Sequence, residues 1–413
     1  MRPLIILFLL VSITASAQRN CGSVEYVNSK GASSFNMHRD NSGLNALSTR
    51  DTIRNEIITI PVVFHILYNS TSQNISDAQV MSQLNVMNDD FRRLNRDASN
   101  TPDAFKSAGA DCRIMFCLAQ VDPKGRPSKG IIRKYTSRSS FSVSDAMKSS
   151  VSGGSDTWDA SKYLNVWVCN MQSNCIGFAT PPGGQAEVDG VVIQYDCFGT
   201  MGTLRPAFNK GRTATHEIGH WMGLRHIWGD ESCGSDEVDD TPSQSGYNYN
   251  CPVYPKRSNC SPDNNGDMFM NFMDYTNDGC MNMFTYGQKT KMRSCFAKGN
   301  ARNSFLKSYA CDSSLASGAS LPAEETPAVE TVKVKSVTVF PNPVQDKINL
   351  SALNGYDLNG KTVRLFNMAG RQVLTQKMNG QANQLSVPTL TQGIYMLVVG
   401  EGAEKVIIKI MKS

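Results

Sequence analysis

The sequence predicts an α/β (α+β) domain followed by a small all-β sandwich. Three observations carry that expectation. A β-branched run, an amphipathic helix and further short strands follow one another between residues 57 and 169. Composition changes abruptly after Cys311, where cysteine and aromatic residues stop for some twenty positions. Beyond residue 335, short alternating apolar and polar runs are separated by turn signals. The chain has 413 residues, 40% hydrophobic and 19% charged, which suits two to three folded units and excludes a wholly disordered protein. Forty-one Lys and Arg against 36 Asp and Glu give a net charge of +5 with no basic tract, so no nucleic-acid footprint is expected.

From the N-terminus, Arg2 precedes an apolar run, Leu4 to Ile13, and Ala15-Ser16-Ala17 offers a small-residue cleavage site. The run is too short to span a bilayer, which needs about 20 residues. Residues 1–17 therefore read as a signal peptide, and the mature protein is expected to have no transmembrane segment. Export places the 12 cysteines in an oxidising compartment. Residues 18–54 are polar and weakly patterned, contain Arg19-Asn20-Cys21-Gly22, and end in the Arg50 and Arg54 stretches. They read as a pro-segment with exposed cleavage sites, or else as a disordered arm.

Ile57 to Tyr68 reads as a buried strand. Ser76-Asp77-Ala78-Gln79 fits a capping box, and Val80, Met81, Leu84, Met87, Phe91 and Leu94 form a stripe at helical spacing. Cys112 to Val121, Gly130 to Thr136 and Tyr163 to Cys169 read as further strands. Residues 175–194 look like a loop, with Pro181, Pro182, Gly183, Gly184 and Gly190. A second helix is expected from Lys210 to Met222, ended by Gly223, and a short one from Tyr286 to Phe296. Between them, 229–280 is a long loop punctuated by cysteines, functional or stapled. The domains follow as a 55–311 body, a 312–334 linker and a 335–413 β unit without cysteine or histidine.

Three of the five histidines stand within eleven residues, in His216-Glu217-Ile218-Gly219-His220-Trp221-Met222-Gly223-Leu224-Arg225-His226. On a helix, residues four apart share a face, so His216 and His220 can present both imidazoles to one ion. Glu217, one position on, faces the metal's water rather than the metal. Gly223 can take a positive φ and turn the chain so that His226 returns to the same ion. Three neutral nitrogens leave one position open, the mark of a catalytic zinc. Zn2+ would acidify a water and polarise a carbonyl, and Glu217 would act as general base, so the expected reaction is peptide-bond hydrolysis. Of the remaining two, His38 lies in the pro-segment and His65 reads as a hydrogen-bonded core histidine.

With Asn271-Phe272-Met273-Asp274-Tyr275, the zinc motif resembles a metzincin metallopeptidase. Thr213-Ala214-Thr215, Ile227-Trp228-Gly229-Asp230, Gly177-Phe178-Ala179, Asp240-Thr241-Pro242 and Met283-Phe284-Thr285-Tyr286-Gly287-Gln288 narrow the resemblance to the pappalysin family, ulilysin and mirolysin type, over roughly 56–300. The resemblance implies a metzincin catalytic domain with a twisted, mostly parallel sheet and an active-site helix. It makes Met273 the methionine of the turn below the metal and Tyr275 the phenol that steadies the oxyanion.

The resemblance also implies Ca2+ in the acidic loop after the third histidine, among Asp236, Glu237, Asp239 and Asp240. Glu237, Asp240 and Thr241 are the candidate ligands, and a merely solvated acidic loop is the alternative. It further implies disulfides Cys233–Cys260 and Cys280–Cys295, with Cys251 leaving a competing pairing open. Cys21, in its Arg-x-Cys-Gly setting, resembles the cysteine switch of metzincin pro-segments. The even cysteine count allows it to be a disulfide partner instead. Relatives favouring Arg beside the scissile bond place an acidic residue directly before the cysteine that follows the turn. Here Gly279 stands there and Asp278 one position earlier, so Asp278 is the candidate for the specificity pocket.

Val339-Phe340-Pro341-Asn342-Pro343-Val344, Leu365-Phe366-Asn367-Met368-Ala369-Gly370, Gly393-Ile394-Tyr395-Met396-Leu397-Val398 and a basic end resemble the C-terminal sorting domain of the type IX secretion system. That implies an Ig-like all-β sandwich, periplasmic passage, the secretion machinery as partner, and a secreted or cell-surface destination. A carbohydrate-binding or adhesive sandwich is the alternative. The expectation for the whole chain is a zinc endopeptidase on protein or peptide substrates, made as a latent zymogen. The competing readings are an adhesin with a degenerate protease domain and a zinc amidohydrolase on a non-protein amide.

Overall fold

A computed structural model describes residues 18–31, 56–260, 265–308 and 310–312, and, further on, 336–340, 344–353, 357–367, 371–379, 384–401 and 405–412. The proposed signal peptide, Arg50 and Arg54, His38 and nearly all of the linker lie outside these residues. The chain divides into two compact units, Met1–Leu321 and Pro322–Ser413.

The first unit is built on a sheet of β1 (Ile58–Tyr68), β2 (Ile114–Leu118), β3 (Ile131–Tyr135), β4 (Leu164–Cys169), β5 (Gly177–Ala179) and β6 (Val191–Gln194). The order is β2-β1-β4-β6-β5, with β3 also paired to β1. All pairings are parallel except β5 with β6 at the edge. The helical elements are α1 (Ser23–Lys30), α2 (Asp77–Phe91), the single turn α3 (Asp103–Lys106), α4 (Arg212–Trp221) and α5 (Tyr286–Ser294). The apolar residues of α2 and α4 share one core with the inward residues of β1, β4 and β6, among them Val62, Phe64, Val166 and Ile193. The other sheet face carries Leu67, Trp167, Cys169, Phe178 and Val192, covered in part by Phe141, Met147 and Tyr26 of α1.

Local chemistry explains the element ends. Ser76 caps α2 by accepting from the Gln79 N–H at 3.1 Å. The expected reciprocal bond is absent, because the Gln79 amide donates instead to the Phe198 carbonyl. The stripe is narrower than its spacing implied: Val80, Leu84, Met87 and Phe91 are buried, whereas Met81 and Leu94 are exposed. Thr285 and Gln288 form a complete capping box at α5, which the sequence reading did not include. Residues 175–194, expected to be loop, contain β5 and β6. Their Pro and Gly signals belong to the connection between two short strands, 180–190. His65 is buried as expected, between Ser155 Oγ at 2.9 Å and Asn165 Oδ1 at 3.1 Å, and stacks on Trp167.

In the second unit, β7 (Ser336–Phe340), β8 (Lys347–Leu353) and β11 (Gln384–Ser386) form one antiparallel sheet. The strands β9 (Thr362–Asn367), β10 (Gln372–Lys377), β12 (Gly393–Val399) and β13 (Val406–Lys412) form another. Ile348, Leu350, Val363, Leu365, Leu385 and Leu397 from both sheets close a single core.

Candidate active site

Helix α4 is buried along its whole length and carries His216, Glu217 and His220. Gly223 takes φ +90°, a value a side chain resists, and the chain turns there to bring His226 back. His220 Nε2 lies 3.2 Å from His216 Nε2 and 3.1 Å from His226 Nε2. Each ring is oriented by its other nitrogen. His216 Nδ1 donates to the Phe272 carbonyl at 2.7 Å, His220 Nδ1 donates to the Leu224 carbonyl at 2.8 Å, and His226 Nδ1 donates to Asp230 Oδ1. With the Nδ1 protons fixed in this way, three Nε2 lone pairs converge.

Burial also holds His216 well below the ordinary imidazole range and His220 down to about 3. Neutral rings with facing lone pairs repel one another unless a cation lies among them. The separations approach the ~3.3 Å edge of a tetrahedron with nitrogens 2.0–2.1 Å from a central zinc. Cys21 Sγ completes the set: the four ligand atoms of Cys21, His216, His220 and His226 all lie within 4.8 Å of one another. Three imidazoles and a thiol are the donor set of a zinc site, so the residues present fit that ion.

Glu217 faces the same point. Its Oε2 accepts from Ser23 Oγ at 3.0 Å and from Cys21 Sγ at 3.3 Å. Burial pushes its carboxyl up to about 7, opposed by the hydrogen bonds from Cys21 and Ser23. A Cβ on Gly177 would come within 2.8 Å of the Glu217 side chain and 3.0 Å of the Val192 carbonyl, so glycine at this one position of β5 leaves room for the carboxylate. Tyr275 Oη donates to the Cys21 carbonyl at 3.4 Å, and its ring lies beside those of His216 and His226. Met273 packs against Gly219, and its carbonyl accepts from the Ile227 N–H at 3.3 Å. The turn that carries Met273 and Tyr275 is held by Asn271, whose amide pairs twice with that of Gln288, at 2.8 and 3.0 Å.

Residues 147–297 match the family described as pregnancy-associated plasma protein-A, and residues 338–413 match the secretion system C-terminal sorting domain. An extracellular metalloprotease of Pyricularia oryzae is 31% identical over 258 residues, covering 60% of this chain and 78% of that protein. Mature mirolysin of Tannerella forsythia in complex with a cleaved peptide is 46% identical, with a TM-score of 0.60 over 63% of this chain and 99% of that one. A promirolysin mutant from the same organism is 42% identical, with a TM-score of 0.63 over 71% of this chain and 98% of that one. The chain belongs to the pappalysin family of metallopeptidases.

Its catalytic unit is thus that of a metalloprotease, and its C-terminal unit is a type IX sorting domain of a secreted or cell-surface protein. In this pappalysin, Asp278 is fully buried. Its Oδ1 accepts from the Arg19 guanidinium at 2.6 Å, and its Oδ2 accepts from the Lys210 and Arg212 backbone N–H groups at 2.8 and 3.2 Å. Arg19 also lies over the Phe208 ring and donates to the Thr276 carbonyl and the Thr213 hydroxyl. Gly279, beside Asp278, has open space around it.

Two disulfide expectations fare differently. Cys233 pairs with Cys260. Cys280 does not pair with Cys295 but with Cys251. Cys295 lies buried at the end of α5, a free thiol donating to the Met292 carbonyl at 2.9 Å. A third bridge, Cys117–Cys311, links a sheet strand to the end of the unit and had no sequence signal beyond even cysteine count.

The acidic loop does not gather its carboxylates. Glu237 is paired with Lys291 at 2.8 Å, Asp240 accepts from Thr285 Oγ1 and the Gly287 N–H, and Thr241 donates to Asp236. Among the described residues, the three histidines and Cys21 are the one group of three or more His, Cys, Asp or Glu side chains placed to share an ion. Arg19, Ser23, Gly177 and Asp230 are site residues that sequence reasoning missed. Asp230, four residues after His226, stood inside the quoted motif and could have been found there.

Proposed function

We propose that the chain is a zinc endopeptidase made as a latent zymogen, with residues 18–54 as pro-segment, 55–311 as protease and 335–413 as an Ig-like sorting sandwich behind a linker. The observation that carries this reading is the position of Cys21, its sulfur among the three histidine nitrogens and its carbonyl on Tyr275. His216, His220 and His226 would hold the zinc ion, and Cys21 would close its fourth position in the precursor. Bound there, zinc supplies Lewis acidity, bringing a water toward neutral pKa and polarising a peptide carbonyl.

The pro-segment lies where a substrate would lie. The Ile176 N–H donates to the Asn20 carbonyl at 3.0 Å, and the Gly22 N–H donates to the Gly177 carbonyl at 2.9 Å. A peptide taking this track would present its scissile carbonyl to Tyr275, whose phenol is then the donor for the developing oxyanion. Ser23 and Cys21 both hold the Glu217 carboxylate in the precursor. Their departure frees Oε2 to take a proton from the attacking water and pass it to the leaving amine. Arg19 on Asp278 supports a preference for arginine beside the scissile bond, since the carboxylate is buried and a guanidinium fills the pocket. The Met273 turn and the Asp230 bond keep the imidazoles in register. Calcium in the acidic loop, with Glu237, Asp240 and Thr241 as donors, rests on the family resemblance. Its test is the melting temperature in calcium against a calcium-selective chelator.

The deciding experiment compares the full-length precursor, Cys21→Ala and Glu217→Ala on a quenched arginine-containing peptide, with and without a zinc chelator. Wild-type precursor is expected to be inactive until residues 18–54 are removed, Cys21→Ala active before removal, and Glu217→Ala inactive throughout. Equal latency in Cys21→Ala, or chelator-insensitive cleavage, would sink the reading.

A further inference from the structure

The short helix α1 buries one large side chain, Tyr26, in a socket made by the catalytic unit, while Val24 is exposed and Val27 only partly buried. The ring packs on Phe178 of β5 with centroids 5.0 Å apart. The phenol donates to Asp145 Oδ1 at 2.7 Å and accepts from Lys148 Nζ at 3.3 Å. Lys148 is itself wholly buried, with its ammonium 4.5 Å from the Tyr26 ring centre and donating to Thr180 Oγ1 at 3.0 Å and the Val188 carbonyl at 2.7 Å. An open groove of about 580 Å³ bordered by Asp145, Lys148, Thr157 and Glu187 continues from this point.

Asp145 and Lys148 take no part in the chemistry proposed above; the cost of burying the ammonium is offset by the Asp145 carboxylate, 3.3 Å away, so the pair stays in place as a charged acceptor and donor. The position of the socket is informative. Arg19 fills the Asp278 pocket, Cys21 sits at the metal site, and Tyr26 follows one helical turn after Gly22, its N–H donating to the Gly22 carbonyl at 2.8 Å. Along the pro-segment the socket therefore lies beyond the metal site from Asp278, against the strand with which the pro-segment pairs. When the pro-segment leaves, an aromatic floor, a carboxylate acceptor and an ammonium donor are uncovered together. A phenol matches all three.

We propose that this socket is a substrate subsite selecting a tyrosine side chain on the opposite side of the scissile bond from Asp278, with Asp145 and Lys148 reading the hydroxyl and Phe178 the ring. The proposal rests on the reading of residues 18–31 as a segment lying in the substrate's track.

The test uses the matured full-length enzyme and quenched peptides in which one arginine fixes the cleavage point. Tyr, Phe or Ala is placed two, three or four residues away across the scissile bond. At one of these positions kcat/KM is expected to be about tenfold higher for Tyr than for Ala and roughly threefold higher than for Phe. Asp145→Asn is expected to bring the Tyr-to-Phe ratio close to one. Equal rates for all three residues at every position in the wild-type enzyme overturn the subsite. Should Asp145→Asn fail to fold, the wild-type ratios decide alone. Failure of the underlying protease reading looks different, because the alanine peptide is then not cut at its arginine in a chelator-sensitive way.

Discussion

A methyl group on Gly219 would lie 2.5 Å from Met273 Sδ, so the helix between the two metal-facing histidines and the turn below them are fitted to each other through a missing side chain. The contact is with a thioether rather than backbone. Gly219→Ala should therefore displace the sulfur instead of preventing folding. The expected cost is about 1–3 kcal/mol of stability, together with a lower zinc content per chain. Thermal unfolding and metal analysis on one preparation check both, and an unchanged zinc content would uncouple the turn from the imidazoles.

Asp278→Asn keeps the shape of its pocket but removes the charge opposite Arg19. Leaving a buried guanidinium unpaired is expected to cost roughly 3–5 kcal/mol in pro-segment docking. The variant precursor should mature faster, and the matured enzyme should lose much of its preference for Arg over Ala. Rates of maturation and kcat/KM ratios on paired peptides measure the two effects separately.

Stability should rise with pH between about 4 and 6.5 through His65. Burial lowers this imidazole from 6.5 to about 4, so the unfolded chain takes up the proton first as the solution is acidified. Its neutral-state contribution is complete above 6.5 and falls away toward 4. The shift corresponds to about 3 kcal/mol. Urea midpoints from pH 4.5 to 7 should show this slope, and His65→Gln should flatten it while leaving the metal site in place.

Metal removal should loosen α1. Without a cation, the three facing Nε2 lone pairs repel, and Cys21 is left with its contacts to Glu217, Ser23, Tyr275 and the edge strand. Amide exchange over residues 18–31 of the precursor is expected to quicken on chelation and slow again when zinc is restored. Unchanged exchange would mean that the backbone pairing with β5, not the sulfur, secures the segment.

Much of this was legible in residue order, and the misses have physical causes. The spacing of His216, His220, Gly223 and His226 encodes helix geometry and one sharp turn, so local rules sufficed. The strands at 177–179 and 191–194 escaped because three- and four-residue strands carry too few positions to show alternation. Cys251 and Cys280 could not be paired from sequence, since chain proximity within a long loop is set by the fold. Arg19 and Asp278 stand 259 residues apart, and only the cleft reveals that they touch. Asn271 and Gln288 each lay in a quoted motif, yet their mutual amide pairing depends on how α5 packs.

Cys311 is the last cysteine of the chain, and its bond to Cys117 anchors it to the strand beside β1. The sorting unit follows Cys311 in the sequence. A cut anywhere between Cys311 and that unit would leave the catalytic unit's last cysteine covalently fastened to β2.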